Sequence, residues 1–176
     1  MDLLCKRAAG LFIYAMSTVR FIEQKNQNPK GWLEQLIRSQ ESRLIGKTIL
    51  GGNKTLDSLY MTIFQEAFGD NDPEDHAKVW SVLGAVILAF KPPSPSMIAA
   101  LLGLDPGDVF PLLSLLHSLL TLLEEINDPV LPFHKSFPDF IVHSARCTDP
   151  RFRISPPDQH AELLVGCLKL MNRKLG

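Results

Sequence analysis

The stretch PFHKSFPDFI, at residues 132–141, decides the fold because it leads from an extended segment into a helix. Ser136 with Asp139 three residues later is typical of a helix N-cap with an acidic N3 residue. Pro138 falls in the first turn, where its missing N–H is harmless. We therefore expect His134 where a strand ends and a helix begins. Unpaired backbone N–H groups and the helix dipole favour an anion there.

The segments on either side of Asn127-Asp128-Pro129 indicate a β-hairpin. LLEEI at 122–126 and VLPF at 130–133 are short apolar runs, and the residues between them favour a turn. Three helices are predicted before this hairpin, beginning at Asp72-Pro73, Ser94-Pro95 and Asp105-Pro106, and ending near Phe90, Leu102 and Leu120. Three helices followed by a two-stranded wing is the winged-helix order.

The rest of the chain has helical periodicity. A first helix is predicted over residues 3–23, a second over 31–39, and a third capped by Thr55 and ended by Gly69. Residues 151–154 are expected to be extended, and a final helix begins at Ser155-Pro156. The fold class is therefore mainly α: a helical bundle, then a winged-helix domain with a small β-hairpin, then a C-terminal helix. Predicted domains are 1–70, 71–150 and 151–176.

Composition limits the classes of function. The 176 residues are 45% hydrophobic with a net charge of −1, which gives no long-range attraction to nucleic acid or anionic membrane. Three scattered cysteines suit a reducing interior, so we expect a cytoplasmic protein. The longest apolar run, residues 79–90, is too short to span a bilayer. No membrane partner is expected.

Residues 132–141 resemble the Phe-x-His-x-Ser/Thr-Phe-Gln-Glu-Phe motif in the winged-helix domain of NACHT-type (NLR-like, STAND-class) signalling NTPases. The resemblance continues in RCTDPRFRISP at 146–156, in CLKLMN at 167–172, and upstream in GLFIYA at 10–15. The order of these motifs along the chain is similar to that in large fungal proteins in which a NACHT module precedes repeats such as WD repeats. It spans nearly the whole chain, and it is most specific between Phe133 and Met171.

The resemblance implies a regulatory fragment that follows the nucleotide-binding core and stops one helix into a second helical domain. In such proteins the motif histidine, here His134, reaches a phosphate of bound ADP, and exchange for ATP releases the winged helix and allows oligomerisation. The partners implied are the missing core, the C-terminal repeats and further copies in a homo-oligomer. Leu11 and Phe12 match a segment that packs near adenine, although this chain lacks the proline of many relatives. A buried helix face is the simpler role for both.

The chain alone is not expected to be an enzyme. Gly46-Lys47-Thr48 mimics the end of a P-loop, but Glu41 occupies the position of the required glycine. The run GGNKT at 51–55 has asparagine in place of the last glycine, and no Walker B segment follows. Without these groups we do not expect the chain to hydrolyse ATP by itself or to have a complete nucleotide site; the resemblance implies ATP and ADP as cofactors of the parent protein. The spacings of His134, His143, Cys147 and His160 match no zinc signature, so no metal is predicted.

Two other functions stay open. A winged helix can read DNA with its third helix, but residues 105–120 contain no Lys or Arg, so nucleic acid is not expected. A free-standing helical interaction module would expose apolar faces and self-associate. His134 itself has a structural alternative, a histidine satisfied inside the wing–helix junction. Phe133, Phe137 and Phe140 are predicted to pack in the core.

Overall fold

The computed structural model describes residues 12–24, 29–34, 38, 52–69 and 72–175. The prediction of a mainly α fold with a small antiparallel hairpin is confirmed. The elements in chain order are α1 (Phe12–Gln24), α2 (Gly52–Phe68), α3 (Pro73–Leu88), α4 (Pro95–Leu102), α5 (Pro106–Ser114), β1 (Leu120–Thr121), β2 (Leu131–Pro132), α6 (Ser136–Val142), a 3₁₀ turn (Pro150–Phe152) and α7 (Pro156–Leu175). Residues 29–34 are also helical. The predicted helical residues 3–11 lie outside the described part, as do most of residues 35–39.

The starts of α3, α4 and α5 are as predicted, because each is fixed by a local cap. The side chains of Asp72, Ser94 and Asp105 each accept hydrogen bonds from backbone N–H groups two or three residues on, over distances of 2.7–3.2 Å. A proline follows each cap in the first turn, where no N–H is needed. Gly103, with φ of 71°, ends α4 in the left-handed conformation that glycine adopts without strain.

The hairpin is displaced from its predicted position. Helix α5 ends at Ser114 and not at Leu120, and the first strand is residues 120–121, so the predicted strand over 122–126 is wrong. Leu120 pairs with Pro132, and Phe133 N donates to Leu119 O over 2.8 Å. These cross-hairpin hydrogen bonds use backbone groups that a longer helix would pair within itself.

Three smaller predictions are also wrong. Helix α2 begins at Gly52, so Thr55 lies inside it and does not cap it. The periodicity also predicts Phe90 on the apolar stripe of α3, but Phe90 lies two residues beyond the end of that helix and is fully exposed. Pro150–Phe152 is a 3₁₀ turn, because Asp149 caps it through the N–H of Arg151 and thereby holds the backbone in a turn.

The core is a continuous cluster of aromatic and aliphatic side chains around α2. The ring of Phe64 stacks on Phe152 and on Phe140, with centroids 5.8 and 6.5 Å apart, and meets Trp80 edge-on at 5.5 Å. Phe137 and Phe140 are buried as predicted. Helix α2 therefore packs against the middle of α3 and against the aromatic side chains of α6. The predicted division into three domains stays a prediction.

Helix α7 packs closely on α3 and α4 through two glycines. A Cβ atom at Gly84 of α3 would overlap the side chain of Gln159, and one at Gly166 of α7 would overlap the carbonyl of Leu101. Larger residues would separate the helices, so these two positions set the contact. None of the helices described is both long enough and apolar enough to cross a membrane.

Candidate functional site

His134 lies at the junction between the wing and helix α6. Strand β2 ends at Pro132 and α6 begins at Ser136, so His134 stands between strand end and helix start, as the sequence predicts. The residue is half-buried. The predicted N-cap is wrong by one position, since Lys135 occupies the cap and makes no side-chain cap hydrogen bond, while Ser136 is the first helical residue. The side chain of Ser136 instead forms hydrogen bonds with His134 and Tyr60.

A chain of hydrogen bonds links the imidazole to helix α2. The Nδ1 atom of His134 lies 2.7 Å from the hydroxyl of Ser136 and 3.2 Å from its backbone N. The same hydroxyl lies 2.8 Å from the phenol oxygen of Tyr60. A backbone N–H can only donate, so Nδ1 must accept, and in the neutral ring the proton is assigned to Nε2. The ring is therefore fixed in one tautomer and one orientation.

Tyr60 supplies the far end of this chain. Its side chain is 1% exposed, and burial raises the pKa of the phenol more than the hydrogen bond with Ser136 lowers it. A neutral phenol has a proton to donate. The order that satisfies every atom is Tyr60 donating to the Ser136 hydroxyl and that hydroxyl donating to Nδ1 of His134.

The Nε2–H of His134 is the donor of the junction that is left for a ligand, since it is not one of the buried unpaired atoms. Within the described ranges, no polar atom forms a hydrogen bond with Nε2. The backbone N–H groups are less available than the sequence suggests, because that of Ser136 donates to Nδ1 and that of Phe137 donates to the carbonyl of His134 over 3.1 Å. The predicted support for an anion from unpaired backbone groups is therefore reduced. The imidazole remains as the directed donor.

Helix α1 covers the other side of the wing. The guanidinium carbon of Arg20 lies 4.1 Å above the ring of Phe133, a cation–π contact. Gln24 donates from Nε2 to the carbonyl of Ser114 over 2.7 Å, which ties α1 to the end of α5. Phe133 is half-buried and so differs from the predicted core role. Nη1 of Arg20 is buried and has no hydrogen-bond partner among the described residues.

The predicted adenine contact stays a prediction. Leu11 lies outside the described residues. Phe12 is the first residue of α1, and its side chain is 76% exposed. The expectation that Phe12 lies on a buried helix face is therefore wrong. The buried stripe of α1 starts two residues into the helix and is partly polar, with Tyr14, Ser17, Thr18 and Phe21.

A second feature, which the sequence does not indicate, is an open groove of about 760 Å³ beside the end of α6. Its wall contains an ion pair between Asp57 of α2 and Arg146, whose closest atoms are 2.6 Å apart. The hydrogen bond to Asp57 raises the pKa of Arg146, although burial opposes this. The partners are 89 residues apart in sequence. No local pattern could therefore have paired them.

The residues considered for metal binding do not converge. The described part of the chain contains no group of three or more His, Cys, Asp or Glu side chains placed to hold a metal ion. Cys147 is buried, and burial raises the pKa of its thiol to about 11. A thiol that stays protonated is a poor nucleophile and a poor metal ligand. His143 and His160 are both exposed.

The P-loop-like residues fall into two groups. Gly46-Lys47-Thr48 lies outside the described residues. From Gly52 onward the second glycine-rich run is the first turn of α2.

Comparison with known protein families, with curated proteins and with solved structures gives no match to this chain. The function is therefore argued from the junction itself.

Proposed function

We propose that this chain is a regulatory, non-catalytic part of a NACHT-type signal-transduction NTPase of the cytoplasm. Its winged helix senses the nucleotide that a separate nucleotide-binding core holds. In the ADP state, Nε2–H of His134 donates to a phosphate oxygen and keeps the winged helix closed on the core. Exchange for ATP breaks this contact, and the freed winged helix exposes surfaces for oligomerisation.

The observation that carries the proposal is the fixed orientation of the His134 ring. Ser136, held by Tyr60, hydrogen-bonds to Nδ1, so the Nε2–H donor of this half-buried ring has no partner among the described residues and is not one of the buried unpaired atoms. A donor held in advance loses little conformational freedom on binding. A phosphate oxygen is an acceptor of the right kind for this free N–H donor.

The surroundings of the junction support transmission of the nucleotide state. Tyr60 lies on α2 and Arg20 lies on α1, so each of these two helices contacts the junction. A shift of His134 toward or away from a phosphate would move Ser136, and through it the contact with α2. This gives a route from one hydrogen bond to the packing of the helical bundle.

The proposal does not include nucleic acid as a partner. In helix α5, which corresponds to the reading helix of a winged helix, Asp108 is the one charged side chain. Asp108 pairs with Lys78 of α3 over 2.8 Å. Phosphate contacts need Lys or Arg on the reading surface, and α5 offers none.

The test joins this chain to a NACHT-type nucleotide-binding core and measures the affinity for ADP by titration calorimetry. Replacing His134 with Ala should weaken ADP binding about 10- to 100-fold, as expected for loss of one hydrogen bond to a charged group. His143→Ala is the matched control, since this exposed ring also accepts a backbone N–H two residues on but has no partner on α2. Equal ADP affinity in the wild type and in His134→Ala would contradict the proposal.

A further inference from the structure

Two Ser-Pro pairs occur in this chain, and each stands at the start of a helix. Ser94 precedes Pro95, the first residue of α4, and Ser155 precedes Pro156, the first residue of α7. The carbonyl of each serine accepts a hydrogen bond from the N–H four residues on, over 2.9 Å at Ser94 and 3.0 Å at Ser155. Both serines therefore occupy the N-cap position of a helix.

The two serine side chains differ in their surroundings. Ser94 is 4% exposed, and its hydroxyl accepts from the N–H of Met97 over 3.2 Å and lies 2.9 Å from the hydroxyl of Ser96. Ser155 is exposed, and its hydroxyl forms no hydrogen bond within the part of the chain that the structure describes. The Ser94 hydroxyl is therefore a buried cap, whereas the Ser155 hydroxyl is free at the surface.

The segment before Ser155 presents basic side chains at the surface. Exposed and buried residues alternate from 151 to 155, so that Arg151, Arg153 and Ser155 are exposed while Phe152 and Ile154 are buried. The backbone of Arg153 is extended, with φ of −97° and ψ of 131°. Residues two apart in an extended chain lie on the same side, about 6–7 Å from each other. Arg153 therefore lies beside Ser155, and it forms no ion pair with any described residue.

The start of α7 has one backbone donor close to Ser155. Pro156 and Pro157 have no N–H, and the N–H of Asp158 donates to no acceptor in the described ranges. An anion on the Ser155 oxygen would be stabilised by this donor and by the dipole of the 20-residue helix. The Asp158 carboxylate lies in the same turn and repels an anion. The guanidinium of Arg153 therefore decides the net effect of a charge at this position.

We propose that Ser155 is a phosphorylation site for a serine/threonine protein kinase of the proline-directed class. The proline that such a kinase recognises is Pro156, directly after the free hydroxyl. The phosphate carries a charge of about −1.5 to −2 at neutral pH, pairs with Arg153 and accepts from the N–H of Asp158. It thereby fixes the start of α7 to the segment before it. This inference does not depend on nucleotide binding by His134.

The kinase supplies the chemistry, and ATP is the phosphoryl donor. A bond forms between Oγ of Ser155 and the γ-phosphorus of ATP, and the bond from that phosphorus to the β,γ-bridging oxygen breaks. ADP leaves with the electron pair of the broken bond, and the proton of the serine hydroxyl passes to the catalytic aspartate of the kinase. The chain itself contributes an accessible hydroxyl and the proline that follows it.

The test treats the purified, folded chain with a mitogen-activated protein kinase and ATP and follows each site by mass spectrometry. Ser155 should be modified at least about tenfold faster than Ser94, because the buried Ser94 reacts only after local opening of the fold. Peptides of residues 88–100 and 149–161 are the matched controls, and both should be modified, since neither has a fold that protects its serine. A folded chain that is not modified at Ser155, or is modified equally fast at Ser94, would overturn the inference.

The effect of the phosphate on α7 is measured by hydrogen exchange. Phosphorylation of Ser155 should slow exchange in the first two turns of α7 by about two- to fivefold, as expected for one favourable charge at a helix N-terminus. Arg153→Gln keeps the serine and removes the cation, so it should abolish most of this slowing. Ser155→Ala treated with the same kinase should exchange like the unmodified chain. If the phosphorylated chain also exchanges like the unmodified chain, the proposed role of the phosphate at α7 is wrong.

Discussion

The two ends of helix α6 carry the same local arrangement and differ in what surrounds it. At each end a histidine accepts, through Nδ1, a hydrogen bond from the backbone N–H two residues on, and both distances are 3.2 Å. At His134 the hydroxyl of Ser136 also contacts Nδ1 and links it to Tyr60. At His143 the ring is exposed and has no such link. The tertiary partner therefore distinguishes a candidate functional histidine from an ordinary one.

Helix α2 holds both ends of α6. Tyr60 contacts the start of α6 through Ser136, and Asp57, one turn earlier on α2, pairs with Arg146 just past its end. Between these two contacts the rings of Phe137 and Phe140 pack on Tyr60, with centroids 5.6 and 5.3 Å away. Four variants test these contacts. One changes the aromatic packing between the two ends of α6, one changes each end, and one changes the segment that follows α6.

The largest effect should come from the packing that both ends share. Phe137→Ala removes a ring that is 1% exposed and should lower the free energy of unfolding by about 3–5 kcal/mol, measured by urea denaturation. The control is Phe90→Ala, which truncates a fully exposed ring and should change stability by less than about 0.5 kcal/mol. Similar losses for both variants would mean that α6 is not anchored by its aromatic face.

The next largest effect should come from the ion pair at the end of α6. Asp57→Asn leaves the partly buried guanidinium of Arg146 without its charged partner and should cost about 1–3 kcal/mol. A double-mutant cycle with Arg146→Gln isolates the interaction. Additive losses in the cycle would show that the two side chains do not interact in solution.

Removing the hydrogen bonds at the start of α6 should lower stability less than the two changes above, and it should change the tautomer preference of His134. Ser136→Ala removes the hydroxyl that joins Tyr60 to His134 and should cost about 1 kcal/mol in urea denaturation. The tautomer preference of His134 should weaken as well, while that of His143 should not change. If the Ser136→Ala variant had wild-type tautomer preferences at both His134 and His143, the Ser136 hydroxyl would not orient the His134 ring.

The smallest effect is a pH dependence confined to the segment after α6. The hydrogen bond with Arg151 lowers the pKa of Asp149. A lowered pKa in the folded state means that the stabilisation is present above the ordinary pKa of aspartate and is lost as the pH falls through the folded-state value. Stability measured against pH should therefore decline in the acid range, and Asp149→Asn should make that decline shallower. An unchanged curve would contradict this assignment.

Local signals account for the parts of the fold that the sequence predicts well. The caps at Asp72, Ser94 and Asp105 act over three residues and need no tertiary information. The two-residue strands have no periodicity to detect, and their position depends on the pairing of Leu120 with Pro132 across the hairpin. This is why the predicted first strand is displaced.

The candidate site was predictable only in part. The position of His134 between strand and helix follows from the stretch around it. The role of Ser136 does not, because the Tyr60 hydroxyl that binds it comes from a residue 76 positions away. The Asp57–Arg146 pair spans an even longer separation. Sequence patterns of caps and turns describe neighbours along the chain, and these contacts are between distant segments.

The central claim is that the fold fixes His134 with Nδ1 as acceptor and leaves its Nε2–H donor without a partner among the described residues. Long-range ¹H–¹⁵N spectra of the histidine rings in the isolated chain measure this directly, because the nitrogen shifts differ between tautomers. The account predicts that His134 is in the Nε2–H form at a pH where its ring is neutral, and that Ser136→Ala reduces this preference. A ring that carries its proton on Nδ1, or one that averages both forms in the wild type, would contradict it.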